Sequence, residues 1–179
     1  MLMVQNFKNF EVQEIRKAVV YVSQEDFLFT ASVRENLKMG NEEISDEEMI
    51  EISRKMGVHQ FVSKMERAYD SVLEERGKNL SKGQRQKLSL TRAILRHPKI
   101  LILDEATSNM DSISEREILN YIKGIRDITL ILISHRINVI ADSDCIYVLQ
   151  KGNIVARGTD KQLKEQCKLY RQLYGEEEK

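Results

Sequence analysis

An apolar run that ends in two adjacent carboxylates limits the possible folds of this chain more than any other feature. The residues at 100–103 read ILIL, and Asp104 and Glu105 follow directly. Consecutive apolar residues of this kind are typical of a strand buried on both faces of a parallel sheet. Because ligands of open α/β folds bind beyond the carboxyl ends of such strands, we expect both carboxylates at a ligand-binding edge.

Other strand-sized apolar segments alternate with helical patterns along the chain. Together with the first run they lie at about residues 18–23, 99–103, 128–133 and 145–149. Gly152 separates the last of them from an apolar stretch at 154–156, which predicts a hairpin. The region 33–97 has no convincing strand and predicts an inserted helical subdomain. This alternation predicts the α/β class with a parallel sheet.

Serine residues mark the predicted helix starts. Ser45, Ser81 and Ser112 each stand three residues before Glu or Gln, which is the capping-box pattern. Pro98, the one proline, is expected to end the helix that starts at Ser81. A hydroxyl, unpaired backbone amides and the helix dipole meet at the start of that helix, so Ser81 stands at a site suited to a phosphate.

The composition argues against several kinds of partner and location. At 179 residues the chain is long enough for one substantial core. Its 28 basic and 28 acidic side chains cancel, which argues against nucleic acid or an anionic membrane surface as the main partner. The longest apolar runs are strand-sized, so neither a signal peptide nor a membrane span is expected. Cys145 and Cys167 lack metal-ligand spacing and are expected to be free thiols.

Five short motifs stand in order along the chain. They are Gln24 after the first strand, LSKGQRQ at 80–86, Asp104 with Glu105, SNMD at 108–111 and SHR at 134–136. In these residues the chain resembles the nucleotide-binding domain of an ABC transporter, with its Q-loop, signature, Walker B strand, D-loop and switch histidine. The resemblance runs from about residue 8 to the carboxyl end, and SVRENL at 32–37 and ERG at 75–77 resemble exporter-type domains. It implies a sheet like that of P-loop NTPases.

The resemblance gives roles to the Walker B strand, the Q-loop and the switch histidine. Asp104 would hold Mg²⁺, directly or through water, and Gln24 would bind Mg²⁺ or the attacking water through its amide oxygen. Glu105 would act on the attacking water, and His135 would contact the γ-phosphate of ATP. The implied cofactors are therefore ATP and Mg²⁺.

The resemblance also assigns the signature and the D-loop to a dimer interface. In this family two domains pair head to tail, and each ATP lies between the phosphate loop of one domain and the signature of the other. Ser81, Gly83 and Gln84 would bind the ATP held by the opposing domain. Ser108 and Asp111 would belong to the D-loop, which crosses the interface.

Two features depart from the family pattern. Lys82 stands where the family usually has glycine, and it adds positive charge near the expected phosphate. No G-x-x-x-x-G-K-S/T phosphate loop, the Walker A motif, occurs among the eight glycines. We therefore expect a single partial ATPase domain over 1–179 that lacks the amino-terminal strands and the Walker A helix. Its α/β core is expected at about 1–30 and 98–179, and its helical subdomain at about 33–97.

These residues leave three functional hypotheses. The first is the ATP-hydrolysing portion of an ABC exporter, located at the cytoplasmic face of a membrane. Its partners would be a second nucleotide-binding domain and a transmembrane domain. Without Walker A, the isolated chain is expected to be inactive. The second is a non-catalytic binding module that docks on an intact partner domain and supplies the signature in trans. An upstream phosphate-loop sequence in the gene would favour the first. The third, a chromosome or repair ATPase, is disfavoured because no coiled-coil heptads interrupt the domain.

Overall fold

The computed structural model describes residues 11–24 and 27–177. The predicted start of the family resemblance, near residue 8, lies outside the described residues. The chain divides into two compact units, Met1–Ile131 and Leu132–Lys179, and each is described by itself.

A three-stranded sheet forms the centre of the α/β fold. Its strands are β1 (Val19–Val22), β2 (Ile100–Asp104) and β3 (Thr129–Ile133), in the order β1-β2-β3. Strands β1 and β2 run parallel, and Leu101 and Leu103 of β2 are buried. β3 begins in the first unit and continues across the boundary into the second. The predicted strands in these three regions are confirmed, with bounds that differ by at most one residue.

Helices fill the long connection between β1 and β2. Helix α1 (Val12–Ala18) precedes β1, and the connection contains α2 (Val33–Lys38), α3 (Asp46–Lys55), α4 (His59–Val62) and α5 (Lys82–Leu95), with two short 3₁₀ turns. Its buried apolar side chains include Val33, Leu37, Met49, Leu88 and Leu95. Residues 33–97 contain no named strand, and their one isolated bridge pairs Val72 with Ser32, just outside this range. The helical prediction for this region is therefore confirmed.

The helix starts follow the predicted serines in two cases out of three. Ser81 closes a capping box with Gln84, and the Ser45 hydroxyl accepts a hydrogen bond from the backbone N–H of Glu48. The prediction for Ser112 is wrong by one residue, because Asp111 caps helix α6 (Ser112–Lys123). A carboxylate caps as well as a hydroxyl and also interacts favourably with the positive end of the helix.

The described part of the second unit contains the end of β3, a hairpin and three helices. Strands β4 (Ile146–Gln150) and β5 (Asn153–Gly158) are antiparallel, as Gly152 predicted. Lys151 and Gly152 both have positive φ, as a tight two-residue turn of this hand requires. The helices are α7 (Ile137–Ile140), α8 (Asp160–Gln166) and α9 (Lys168–Glu177), and the core contains Ile137, Ile146, Val148, Leu163 and Tyr170. In the described part of the whole chain, no helix has the length and apolar character needed to cross a membrane.

Candidate functional site

The carboxyl ends of β1 and β2 meet at one edge of the sheet. Val22 pairs with Leu103, so the residues that follow each strand emerge at the same edge. Gln24 is exposed there, and Asp104 and Glu105 are partly buried. The structure thus brings the predicted Q-loop and Walker B residues to a common edge in the first unit.

A tyrosine on β1 contacts the Walker B aspartate. The hydroxyl of Tyr21 donates a hydrogen bond to Asp104 Oδ2 at 2.8 Å. This bond, with the negative charge of Asp104, raises the pKa of Tyr21 above its ordinary value. Tyr21 was not among the site residues predicted from the sequence. The signal was the strand alternation, because Tyr21 pairs with Ile102 and Asp104 lies two residues further on the same face.

Glu105 adopts a backbone conformation that is uncommon for a residue other than glycine. Its φ is +52°, in the left-handed region. The chain turns at this point, and the backbone N–H of Ser108 donates to the carbonyl oxygen of Glu105 at 3.2 Å. Strained residues of this kind cluster at functional sites, where the surrounding structure holds them in place. The conformation fits a residue whose position matters for function.

The oxygen donors at this edge fit a magnesium ion. Mg²⁺ prefers hard oxygen ligands, takes one or two carboxylates from the protein, and keeps waters and phosphate oxygens for its other positions. Asp104 offers a carboxylate and Gln24 an amide oxygen at the same edge. No group of three or more His, Cys, Asp or Glu side chains among residues 11–24 and 27–177 is arranged to hold a metal.

The predicted signature residues form the first turn of α5. The backbone N–H of Gln84 donates to Ser81 Oγ at 3.2 Å, and the backbone N–H of Ser81 donates to Gln84 Oε1 at 2.9 Å. The first helical bond runs from Arg85 N–H to Ser81 C=O at 3.0 Å. The backbone N–H groups of Lys82 and Gly83 therefore have no carbonyl oxygen within the helix to which they can donate. This end of the helix carries partial positive charge and suits an anion.

Lys82 and Gly83 differ in what the structure demands of them. Lys82 is the first residue of α5, where a lysine is accommodated without a positive φ. At Gly83 a Cβ atom would lie 3.0 Å from the carbonyl oxygen of Asn109. The second glycine of the signature is therefore required by a close approach of the D-loop, whereas the first position is not restricted to glycine.

The D-loop is attached to α5 by a buried amide. The backbone N–H of Asn109 donates to Oε1 of Gln86, whose side chain is fully buried, at 3.0 Å. Gln86 Nε2 and the buried Oγ of Ser108 have no hydrogen-bond partner among the residues that the structure describes. Asp111 accepts from the backbone N–H of Ser114, and this bond lowers the pKa of its carboxyl. The sequence analysis quoted Gln86 but gave it no role, because only the fold brings Asn109 to it.

A polar groove joins the signature and the D-loop. Its volume is about 690 Å³. It is lined by Gly57, Gln60, Phe61, Lys64, Ser81, Lys82, Gly83, Gln84, Lys87, Asn109, Met110 and Asp111. The structure thus brings four of the predicted site residues together here: Ser81, Gly83, Gln84 and Asp111. Gln24, Asp104, Glu105 and Ser108 do not line it.

The predicted switch histidine belongs to the second unit. His135 is exposed and lies between β3 and α7. The preceding Ser134 accepts a hydrogen bond from the backbone N–H of Arg136 through Oγ, which shapes this turn. The role of His135 stays a prediction.

Comparisons with known proteins agree with this arrangement. A family model described as "ABC transporter" matches residues 2–108. A putative export ATP-binding/permease protein of Rickettsia conorii is 41% identical over 165 residues, which cover 92% of this chain and 29% of that protein. The heterocyst differentiation ATP-binding protein HepA of Nostoc is 42% identical over 158 residues, which cover 88% and 26%.

A solved structure gives the same result at the level of the fold. The structure of a bacterial Atm1-family ABC exporter with ATP bound superimposes with a TM-score of 0.87 and 30% sequence identity. The match covers 92% of this chain and 29% of that one. The chain therefore spans less than a third of the length of each of these relatives.

Proposed function

The chain belongs to the ABC transporter family and has the fold of an exporter ATP-binding domain. From this we propose that it takes part in ATP hydrolysis that drives export across a membrane. The observation that carries the proposal is the common edge at which Gln24, Asp104 and Glu105 stand. This edge is where a parallel α/β sheet presents side chains to a ligand.

The residues at this edge, and separately His135 of the second unit, each have a role in the proposed reaction. Asp104 and Gln24 hold Mg²⁺ through oxygen atoms, and bound Mg²⁺ supplies charge neutralisation to the phosphate groups. Glu105 orients or deprotonates the attacking water, because phosphoryl transfer needs positioning more than covalent help. Tyr21 keeps the Asp104 carboxylate in one orientation through its hydrogen bond. His135 contacts the γ-phosphate.

The groove is proposed to bind a nucleotide that a second domain presents. Ser81 and the free amides of the first turn of α5 receive the γ-phosphate of that ATP in a head-to-tail dimer. The Gln86 contact with Asn109 supports this role, since it keeps the D-loop beside the signature helix. The groove thus calls for a second ATP-binding domain as a partner. As a member of the ABC transporter family, the chain is also proposed to contact the transmembrane domain of an exporter and to work at the cytoplasmic face of the membrane.

The α/β core and the helical subdomain are proposed as parts of one ATPase domain. The core comprises residues of about 1–30 and 98–179, and the subdomain about 33–97, with the signature at its end. A second candidate function is a non-catalytic module that supplies Ser81 and Gly83 to an intact partner domain. The observation that favours it is the groove, which brings Ser81 and Gly83 together with Asp111 of the D-loop.

The test is Mg-ATP binding and turnover by the chain, alone and mixed with an intact exporter ATP-binding domain. The intact domain carries glutamine in place of its own catalytic glutamate. The chain is compared with Glu105→Gln, and Glu117→Gln on the exposed face of α6 is the control. Turnover that only Glu105→Gln abolishes supports the catalytic function. ATP-dependent association without turnover supports the binding module, and the absence of both contradicts the two proposals.

A further inference from the structure

The charges in the groove do not balance. Three lysines line it, Lys64, Lys82 and Lys87, against one carboxylate, Asp111. Lys87 is engaged, because its Nζ lies 2.9 Å from Ser114 Oγ and its charge helps to lower the pKa of Asp111. Asp111 and Lys87 therefore offset each other, and two positive charges remain.

These two remaining lysines are available to a ligand. Lys64 follows α4 and Lys82 begins α5, and both side chains are exposed. Neither makes an ion pair with any residue in the described part of the chain. When charges of the same sign line a concave surface, they add to its electrostatic potential. This raises the local concentration of a ligand of opposite charge.

We propose that Lys64 and Lys82 are binding residues for the phosphate chain of a nucleoside triphosphate, in addition to the first turn of α5. The inference rests on the proposed function, in which a second domain presents that nucleotide. Lys64 and Lys82 are separate cations on the lining of the same groove, and a chain of linked phosphates has a negative group for each of them. Lysine suits this ligand as a compact point charge with three donors.

Neither lysine belongs to the usual signature motif. Gly83 and Ser81 serve the D-loop contact and the helix whatever the ligand. Lys82, in contrast, forms no ion pair with any residue of 11–24 or 27–177. Lys64 lies outside the signature altogether. Both residues are thus free to determine how strongly the groove attracts an anion.

The probe is inorganic tripolyphosphate, titrated without metal into the full chain and followed by heteronuclear NMR. The variants are Lys64→Gln, Lys82→Gln and the double variant. Lys123→Gln is the matched control, an exposed lysine at the far end of α6. Each groove variant is expected to weaken binding by about two- to fivefold, as for exposed ion pairs, and the control by less. The affinity of the unaltered chain should fall more steeply with salt than that of the double variant.

The outcomes separate this inference from the proposed function. Signals of Lys64 and of the first turn of α5 that shift together, with weaker binding in both variants, support the proposal. Binding that is equal in the unaltered chain, in the double variant and in Lys123→Gln overturns it, as does the absence of binding. ATP-dependent association with the intact domain is measured on the same variants. If that association survives, the proposed function stands and only the role of the lysines fails.

Discussion

Gly83 and Asn109 approach each other so closely that a side chain on Gly83 would crowd the backbone of Asn109. A Cβ atom on Gly83 would lie 3.0 Å from the carbonyl oxygen of Asn109. The two residues belong to the signature helix and to the D-loop, and 26 positions separate them in the sequence, from 83 to 109. The signature helix and the D-loop are therefore packed directly against each other at this point.

Gly83→Ala is expected to destabilise the fold. The added methyl group must push the backbone at Asn109, which costs about 1–3 kcal/mol as for other overpacked sites. The measurement is the free energy of unfolding in urea. Gly175→Ala is the control, since a Cβ there meets nothing within 4 Å, and it should leave stability unchanged or raise it. Equal effects of the two substitutions would contradict the contact.

Glu105→Gly is expected to leave stability unchanged or to raise it by up to about 1 kcal/mol. Glycine adopts a positive φ without steric cost, which offsets the greater freedom of the unfolded chain. The matched control is Glu117→Gly within α6, which should lose about 1 kcal/mol because glycine weakens a helix interior. Denaturant unfolding of both variants measures this. A clear loss at Glu105 would show that its side-chain contacts outweigh the backbone strain.

The phenol of Tyr21 is expected to titrate above its ordinary pKa of about 10. The hydrogen bond to Asp104 and the charge of that carboxylate both favour the neutral phenol. NMR titration of a ring-labelled tyrosine measures this, and Asp104→Asn should move the pKa back toward the ordinary value. Asp144→Asn, an exposed carboxylate elsewhere, is the control and should have no effect.

The same bond predicts a pH dependence of stability. A folded-state pKa above the unfolded one means that the contribution is present below the unfolded pKa and is lost as the pH rises through the folded pKa. The stability difference between the unaltered chain and Tyr21→Phe should therefore be constant below about pH 10 and shrink above it. A difference that grows with alkaline pH would rule this out.

Asp111→Ala is expected to lower the melting midpoint by about 2–4 °C, as the loss of a helix cap does in a domain of this size. Ser112→Ala is the control and should change little, because Ser112 is already inside α6. The pKa of Asp111 is lowered by its bonds to Ser114. The stabilisation is therefore present above the unfolded pKa and is lost as the pH falls through the folded one. If Ser112→Ala had the larger effect, the cap would be misassigned.

The strands were predictable because their signal is local. Runs such as ILIL at 100–103 are apolar enough to fix a buried strand without knowledge of the neighbours. The cap of α6 was harder, since Asp111 and Ser112 are adjacent and both are good caps. The choice between them depends on where the preceding turn places the helix start.

The contacts that organise the candidate site were not predictable from one sequence. The bond of Tyr21 to Asp104 depends on the pairing register of β1 and β2, which the alternation of residues alone does not fix. The bond of Asn109 to Gln86 joins a loop to a helix far away in sequence. The order of the motifs was enough to locate the site residues in the sequence. The side chains that contact these residues are determined by tertiary packing.

The capping box at the start of α5 engages one lone pair of the Ser81 hydroxyl oxygen. Its oxygen accepts the Gln84 amide hydrogen, and the Ser81 amide is already taken by Gln84 Oε1. A hydroxyl has one hydrogen to donate, and this hydrogen takes no part in the capping box. The capping box therefore leaves this hydrogen available to a ligand in the groove. A phosphate, whose oxygens accept hydrogen bonds, can use it without breaking the contacts that start the helix.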